Sequence, residues 1–349
     1  MCVRRTWNEP IGHMPLDTYE DLMEQVAELP TPPIIHLSGY GEPMFHPDFL
    51  EMVRLAKATG AQVEITTNGL LLDRETAALI DLDLNRLMVS IDSVTPEEYA
   101  DIRVHSDFDQ VIKNMHNLRR LKLQGKGRHS NPQVGIAFVA MKRNLADLPK
   151  LSLLAIRIGA QEIQVSNLVP HVPEMEEEIL YKRSLRSAAY GSSRWVPDMN
   201  LPKLDLNGST HEPLSEVFDS TVSLSWLDHK LNARNDYCRF AQEGYSVIRW
   251  AGEVTPCLPL MHNHPVYIHG RRKNVKHYSL GNINELSLGE IWEAPEYSEF
   301  RTKLRDFPFS PCTTCGGCER FPANFWDCSH NGFPTCGGCL WAQGFVQCP

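Results

Sequence analysis

The chain has 349 residues, 42% of them hydrophobic, and a formal net charge of −9. That is enough apolar material for about two domains with a full core, and the acidic balance argues against a nucleic-acid or membrane-surface partner. No stretch reaches the ~18 apolar residues of a spanning helix, and the first residues lack the apolar region of a secretory signal, so a cytoplasmic protein is expected.

The first half alternates between helical and strand periodicity. "PLDTYEDLMEQVAEL" (15–29) places Leu16, Tyr19, Leu22, Met23 and Val26 at helical spacing. "PIIHLS" (33–38) is a short apolar strand, and "HPDFLEMVRLAKATG" (46–60) is a helix that Gly60 stops. "QVEITTNG", "DRETAALIDL" and "NRLMVSID" then read as strand with turn, helix and strand. Helices over about 95–103 and 107–124 lead to a strand at "QVGIAFVAM", a helix over about 144–158 and a strand at "EIQVSNLV". Five strand–helix repeats with apolar strands predict a parallel sheet covered on both faces. The helix at 15–29 lacks a preceding strand.

Ligands in parallel α/β folds sit at the C-terminal ends of the strands. Those ends carry Ser38, Gly39, Tyr40, Gly41, Glu42 and Pro43; then Thr66, Thr67, Asn68 and Gly69; then Ser90 and Asp92; then Lys142, Arg143 and Asn144; then Ser166 and Asn167. The two glycines of the first loop permit close approach of a ligand, and a carboxylate between Gly and Pro is held rather than free. A binding site on this rim is expected.

Residues 170–237 combine prolines, the acidic "EMEEE" and "NLPKLDLNGST", and read as a connector closed by a helix at about 214–233. From Cys238 the character changes. "GYSVIRWAGEVTPC" is a hairpin turning at Ala251–Gly252, and "LSLGEIWEAPEYSEFRTKL" is helical. The last forty residues are dominated by Cys, Gly, Pro and aromatics, and metal rather than a hydrophobic core is expected to hold them.

The ten cysteines are unevenly placed. Cys2 stands alone; then come Cys238, Cys257, Cys312, Cys315, Cys318, Cys328, Cys336, Cys339 and Cys348, spaced C-x18-C, a gap, and C-x2-C-x2-C-x9-C-x7-C-x2-C-x8-C. A reducing compartment does not sustain structural disulfides, so such a cluster points to metal. Cys315/Cys318 and Cys336/Cys339, with 17 residues between, fit a zinc ribbon. The run C-x2-C-x2-C also resembles a ferredoxin opening, and two sites of four thiolates suit zinc or iron–sulfur equally.

Several stretches, in this order, resemble the radical S-adenosylmethionine family, in particular members with the C-terminal SPASM auxiliary-cluster domain. "GYGEP" (39–43) resembles the family's Gly-Gly-Glu-Pro motif, "TTNGLLL" (66–72) a family segment, and "VSIDS" (89–93) its ribose-contacting strand. Cys238 and Cys257, with thirteen residues from Cys238 to Gly252 and four from Gly252 to Cys257, fit the SPASM opening C-x9–15-G-x4-C. "LGNINELSLGEIW" (280–292) resembles the segment that follows. "CGGCLWAQGFVQCP" together with "VRRTW" resembles a subgroup associated with tungsten-containing aldehyde ferredoxin oxidoreductases, thought to modify their tungstopterin. Leu258 stands where sulfatase-maturing relatives carry Asp, and the tail departs from the usual cysteine spacing.

The resemblance implies an α/β fold: a partial parallel (β/α)6 barrel lacking its first strand over residues 1–170, a connector over 171–237, and a small Cys-rich, metal-held domain over 238–349. It implies a [4Fe–4S] cluster that cleaves S-adenosylmethionine to a 5′-deoxyadenosyl radical, with two auxiliary [4Fe–4S] clusters for electron transfer or substrate binding. By this resemblance Gly39, Tyr40, Gly41, Glu42, Pro43, Thr67, Asn68, Ser90, Asp92 and Asn144 bind the cofactor, and the ten cysteines bind metal. The implied substrate is a small-molecule cofactor, peptide or protein, with aldehyde ferredoxin oxidoreductase as a candidate partner and reduced ferredoxin or flavodoxin as electron donor.

Cys2 falls where the family's third cluster cysteine belongs, so the first two cysteines and the first strand are expected upstream, and the chain as written is expected to be inactive. His262 and His264 in "MHNHP" are expected in a polar surface turn, His36 in the core with one hydrogen bond, and Arg103 and His105 at the surface. A non-catalytic, zinc-stabilised binding or scaffold protein is the alternative.

Overall fold

The computed structural model describes residues 3–7, 9–124, 131–187, 204–218, 223–226, 238–310, 312–313 and 318–347. Its centre is a parallel sheet in sequential order: β1 (Ile34–Leu37), β2 (Gln62–Thr67), β3 (Arg86–Ser90), β4 (Gln133–Ala140), β5 (Glu162–Asn167) and β6 (Ser223–Trp226). Helices α1 (Leu16–Ala27), α2 (Phe49–Ala58), α3 (Leu72–Asp81), α4 (Pro96–Ile102), α5 (Phe108–Gln124) and α6 (Leu148–Ile158) precede or connect the first five strands. Strand-by-strand order with helical crossovers is the partial parallel barrel.

The apolar strands become strands because both faces are covered. Val63 and Ile65, Leu87 and Val89, Ile136 and Phe138, and Ile163 and Val165 are all buried in one cluster with Leu22, Val53, Leu79, Val111 and Leu151 of the helices. Arg86 at the start of β3 donates to Glu162 of β5 at 2.6 Å and to Glu64 of β2 at 3.3 Å, tying three strands at their N-terminal ends. His36 of β1 hydrogen-bonds the Thr66 hydroxyl at 2.9 Å, as expected of a core histidine.

Residues 171–237 contribute more than a connector. After α7 (Lys182–Ser187) comes α8 (Gly208–Phe218), and the helix expected over 214–233 gives way to β6, which pairs with β5 from Glu162↔Ser223 to Val165↔Trp226. The open edge of β5 offers backbone hydrogen bonds, and four residues with two serines are too short to show a strand period. The sheet therefore extends beyond residue 170.

The C-terminal region holds α9 (Arg239–Gln242), β7 (Val247–Ile248), β8 (Glu253–Thr255), β9 (His264–Ile268), β10 (Arg271–Val275), β11 (Gly281–Asn282), α10 (Leu288–Glu293) and α11 (Pro295–Asp306). The expected hairpin forms between β7 and β8, with Gly252 at φ +83° in the turn. The single helix expected at 286–304 is two, because Pro295 cannot continue the first and opens the second. Val254, Ile283, Ile291 and Tyr297 join the barrel's own core, and the Gln25 side chain of α1 accepts from the Leu288 N–H at 2.7 Å. The tail has apolar packing after all. Phe321, Leu340, Phe345 and Val346 pack with Val169, Ile179 and Tyr181, while Phe300, Leu304, Phe307 and Phe309 pack around cysteines.

Candidate functional site

The loop after β1 carries the GYGEP stretch. Gly39 has φ +120°, a backbone angle L side chains rarely adopt, and a Cβ at Gly39 or Gly41 would meet nothing within 4 Å. Open space therefore lies beside this backbone. Glu42 points back to β2, where Oε1 accepts from the Thr67 hydroxyl at 2.7 Å and Oε2 from the Asn68 N–H at 2.7 Å. Burial lifts its carboxyl above the usual range, against hydrogen bonds from Asn68, Thr67 and Met44 and the charge of Arg103. Thr67 is itself buried, and its hydroxyl also accepts from the Gly69 N–H at 3.0 Å.

Three expected cofactor residues divide differently. Ser90, at the end of β3, is half-buried, and its carbonyl accepts from the Tyr99 hydroxyl at 3.3 Å. Asp92 is fully buried: Oδ2 accepts from Arg103 Nε at 2.6 Å and Oδ1 from the Val139 N–H at 2.7 Å. Arg103 is thus the partner of a buried carboxylate rather than a plain surface residue. Asn144 donates to the carbonyls of Asp92 and Val139, both at 2.9 Å, and accepts from the Met141 N–H at 2.8 Å. Asp92 and Asn144 tie the ends of β3 and β4 together, and their polar atoms are taken up by protein.

The rim meets the C-terminal region at its first loop. The Tyr40 hydroxyl donates to the carbonyl of Leu258, the residue after Cys257, at 3.3 Å. Trp7 packs edge-on to Tyr40 with ring centroids 5.2 Å apart and stacks on His262 at 4.2 Å. Glu9 joins the same contact: Oε2 accepts from Arg249 at 2.8 Å and hydrogen-bonds His262 Nδ1 at 2.6 Å. Burial would raise the Glu9 carboxyl, but His262, Asn263 and Arg249 outweigh it and hold it below the usual range. His262 and His264 are therefore buried, not in a surface turn, because Glu9 and Trp7 cover the first and β9 begins at the second. His264 and His171 meet edge to face, at 5.4 Å.

Four cysteines converge. Cys238 caps α9, Cys257 follows β8, and Cys336 and Cys339 flank a Gly-Gly turn. Their thiols act on one another electrostatically and line one cavity of about 40 Å³ with Phe240, Leu260, Phe300 and Leu304. That exceeds the ~10–15 Å³ a single water needs. Burial pushes the Cys238 thiol up to about 12 and the Cys257, Cys336 and Cys339 thiols above their ordinary value as well. The turn needs Gly337, where a Cβ would overlap the Ser310 carbonyl, while one on Gly338 would meet the Lys273 ammonium at the movable end of its side chain.

Cys318, which the zinc-ribbon spacing sets with Cys336 and Cys339, does not line their cavity. Cys318 packs with the other apolar cluster, and its sulfur accepts from the Arg320 N–H at 3.3 Å. Cys312 is half-buried and Cys328 exposed. Cys2, Cys315 and Cys348 lie outside the described residues. Among the described residues no three His, Cys, Asp or Glu side chains are drawn together closely enough for one metal ion.

Sequence reading missed Glu9, Arg249 and Lys273. Glu9 and Arg249 are 240 residues apart and carry no motif, and Lys273 lies in the basic run Arg271–Arg272–Lys273, where nothing distinguishes it. Trp7 was visible only as part of "VRRTW".

Residues 1–131 match the radical SAM superfamily, and residues 238–319 match the SPASM iron–sulfur cluster-binding domain. The chain belongs to the radical SAM family, in its SPASM-containing branch. It is 30% identical, over its full length and 92% of the relative's, to the tungsten-containing aldehyde ferredoxin oxidoreductase cofactor-modifying protein of Pyrococcus furiosus. Among solved structures, anSMEcpe with bound AdoMet aligns with TM-score 0.57 at 17% identity over 97% of this chain and 88% of that one. Streptococcus suis SuiB bound to S-adenosylmethionine aligns with TM-score 0.54 at 14% identity over 88% of this chain, which spans 65% of SuiB. These likenesses confirm the fold. No helix among the described residues is long and apolar enough to cross a membrane.

Proposed function

We propose that the protein is a radical S-adenosylmethionine maturase that modifies the tungsten cofactor of an aldehyde ferredoxin oxidoreductase, drawing electrons from reduced ferredoxin or flavodoxin. The observation that carries this reading is the four-thiol site of Cys238, Cys257, Cys336 and Cys339, joined to the GYGEP rim through Tyr40 and Leu258. The likeness to the Pyrococcus furiosus protein supports the substrate class.

The match of residues 238–319, which include Cys238 and Cys257, to an iron–sulfur cluster-binding domain supports a cluster rather than a zinc ion at these four thiols. A second auxiliary cluster takes its ligands from Cys312, Cys315, Cys318, Cys328 and Cys348. Cys2 is the ligand this chain offers the catalytic cluster. When bound, that cluster and S-adenosylmethionine supply a carbon-centred radical that removes a hydrogen atom from substrate.

The chain's own part is to bind and orient. Glu42, lifted by burial and fixed at both oxygens, presents a carboxylate poor in positive partners, and the cofactor's ammonium fills that need. Gly39 and Gly41 leave the backbone beside it open. Thr67 and Asn68 hold Glu42 in place, and Ser90 lies at the next strand end. Asp92 and Asn144 act as positioning residues through the β3 and β4 ends.

Anaerobic expression followed by iron, acid-labile sulfide and visible absorption measurements tests the class. Iron, sulfide and a broad band near about 400 nm are expected; a colourless protein holding zinc instead would establish the scaffold alternative. A form carrying the full three-cysteine motif of the catalytic cluster, incubated with aldehyde ferredoxin oxidoreductase and S-adenosylmethionine, is expected to release 5′-deoxyadenosine and change the mass of the extracted tungsten cofactor. Release with an unchanged cofactor would move the substrate to the peptide class.

A further inference from the structure

Lys273 sits on β10 and is 4% exposed, yet it carries an ammonium. A buried cation requires compensation, and an unpaired one is strongly disfavoured. The groups that act on it electrostatically are Cys312, Cys339 and Cys336, which become negative when they bind metal as thiolates. Its stem lines the cavity shared by Cys238, Cys257, Cys336 and Cys339. Its ammonium occupies the space beside Gly338, between Cys336 and Cys339, where an added Cβ would also lie 3.3 Å from the Cys312 Cβ. The Phe321 ring, 5.7 Å away, shields it on another side. One cation thus stands between the four-thiol site and the first cysteine of the C-x2-C-x2-C run.

We propose that the Lys273 ammonium is a shared counter-charge for the two cysteine sites, and that it sets the potential at which the auxiliary clusters accept an electron. The inference rests on the reading of those thiols as cluster ligands. A thiolate-bound cluster becomes more negative on reduction, and a fixed positive charge in a low-dielectric interior stabilises the reduced form most. Lys273 therefore raises the reduction potential, acting on the clusters through space as a positioning residue. Bound at one site alone it would tune one cluster; placed between two it makes the charge on each felt by the other.

The test is a reductive titration followed by visible absorption and electron paramagnetic resonance. It uses the full chain carrying Cys2→Ala, so that only the tail cysteines contribute. Iron and sulfide in this parent come first: a parent without them overturns the cluster reading itself, before Lys273 is at issue. In a cluster-bearing parent, Lys273→Met and Lys273→Gln are expected to shift at least one midpoint to more negative potential, and Lys273→Arg to restore it toward the parent value. Neutral variants that lose their clusters while Lys273→Arg keeps them also support a charge requirement. Neutral variants with parental iron and parental midpoints overturn the proposal. Loss of clusters in all three variants overturns it too, since shape rather than charge is then what the site needs.

Discussion

The Glu42 carboxylate and the Thr67 hydroxyl, on successive rim loops, are hydrogen-bonded at 2.7 Å. Through this bond the GYGEP loop and the TTNG loop become one unit, with the Asn68 N–H on the second oxygen. Glu42→Ala is expected to weaken S-adenosylmethionine binding at least tenfold, or about 1.4 kcal/mol. Thr67→Val, which leaves the carboxylate but removes one donor, should have a smaller effect. Equilibrium binding of the cofactor to cluster-loaded protein checks the order; equal affinity in Glu42→Ala and wild type would exclude Glu42 from the site.

Asp92 and Arg103 form a buried pair, with the aspartate side chain wholly inaccessible and the arginine partly so. Asp92→Ala leaves the Arg103 charge and the Val139 N–H without that partner, so a loss of about 3 kcal/mol in unfolding free energy is expected. Denaturant unfolding measures it. A neutral effect on stability with a large loss of cofactor binding would assign Asp92 to the ligand instead.

Cys238, Cys257, Cys336 and Cys339 should behave as one ligand set. Cys238→Ala or Cys339→Ala alone is expected to remove about four iron and four sulfide per chain, the content of one [4Fe–4S] cluster. The double variant should lose no more than either single one. Additive losses in iron analysis would divide these cysteines between two sites. Gly337→Ala, which drives a methyl into the Ser310 carbonyl, should lose the same cluster although every thiol is retained.

His36, His171 and His264 make the fold acid-sensitive. Burial holds their pKa values at about 4, about 3 and about 4, below the unfolded 6.5. Between these limits the unfolded chain binds protons that the folded chain refuses, so stability is complete above about 6.5 and falls as pH drops toward 4. Each histidine loses roughly 1.4 kcal/mol per pH unit in that window. The urea midpoint should therefore be clearly lower at pH 5 than at pH 7.5, and identical midpoints would show that these rings take up protons without unfolding.

The sequence by itself determined the order of strands β1 to β5, because a buried parallel sheet demands apolar runs that stand out between helical periods. It also gave the rim loops and the SPASM opening, since glycine, carboxylate and cysteine at fixed short spacing carry their chemistry locally. The sixth strand was hidden, as Ser223–Trp226 takes its conformation from the edge of β5 rather than from its own pattern. Asp92, Asn144, His262 and His264 could be located but not understood, because whether a polar side chain meets ligand, water or protein depends on distant partners such as Arg103 and Glu9. Only the tertiary structure sorted the cysteines, setting the closing Cys336–Cys339 turn against Cys238 and Cys257 across the chain, and only it placed the ammonium of Lys273 among them. Spacing records what neighbours can bind together; pairing across many residues is decided by packing.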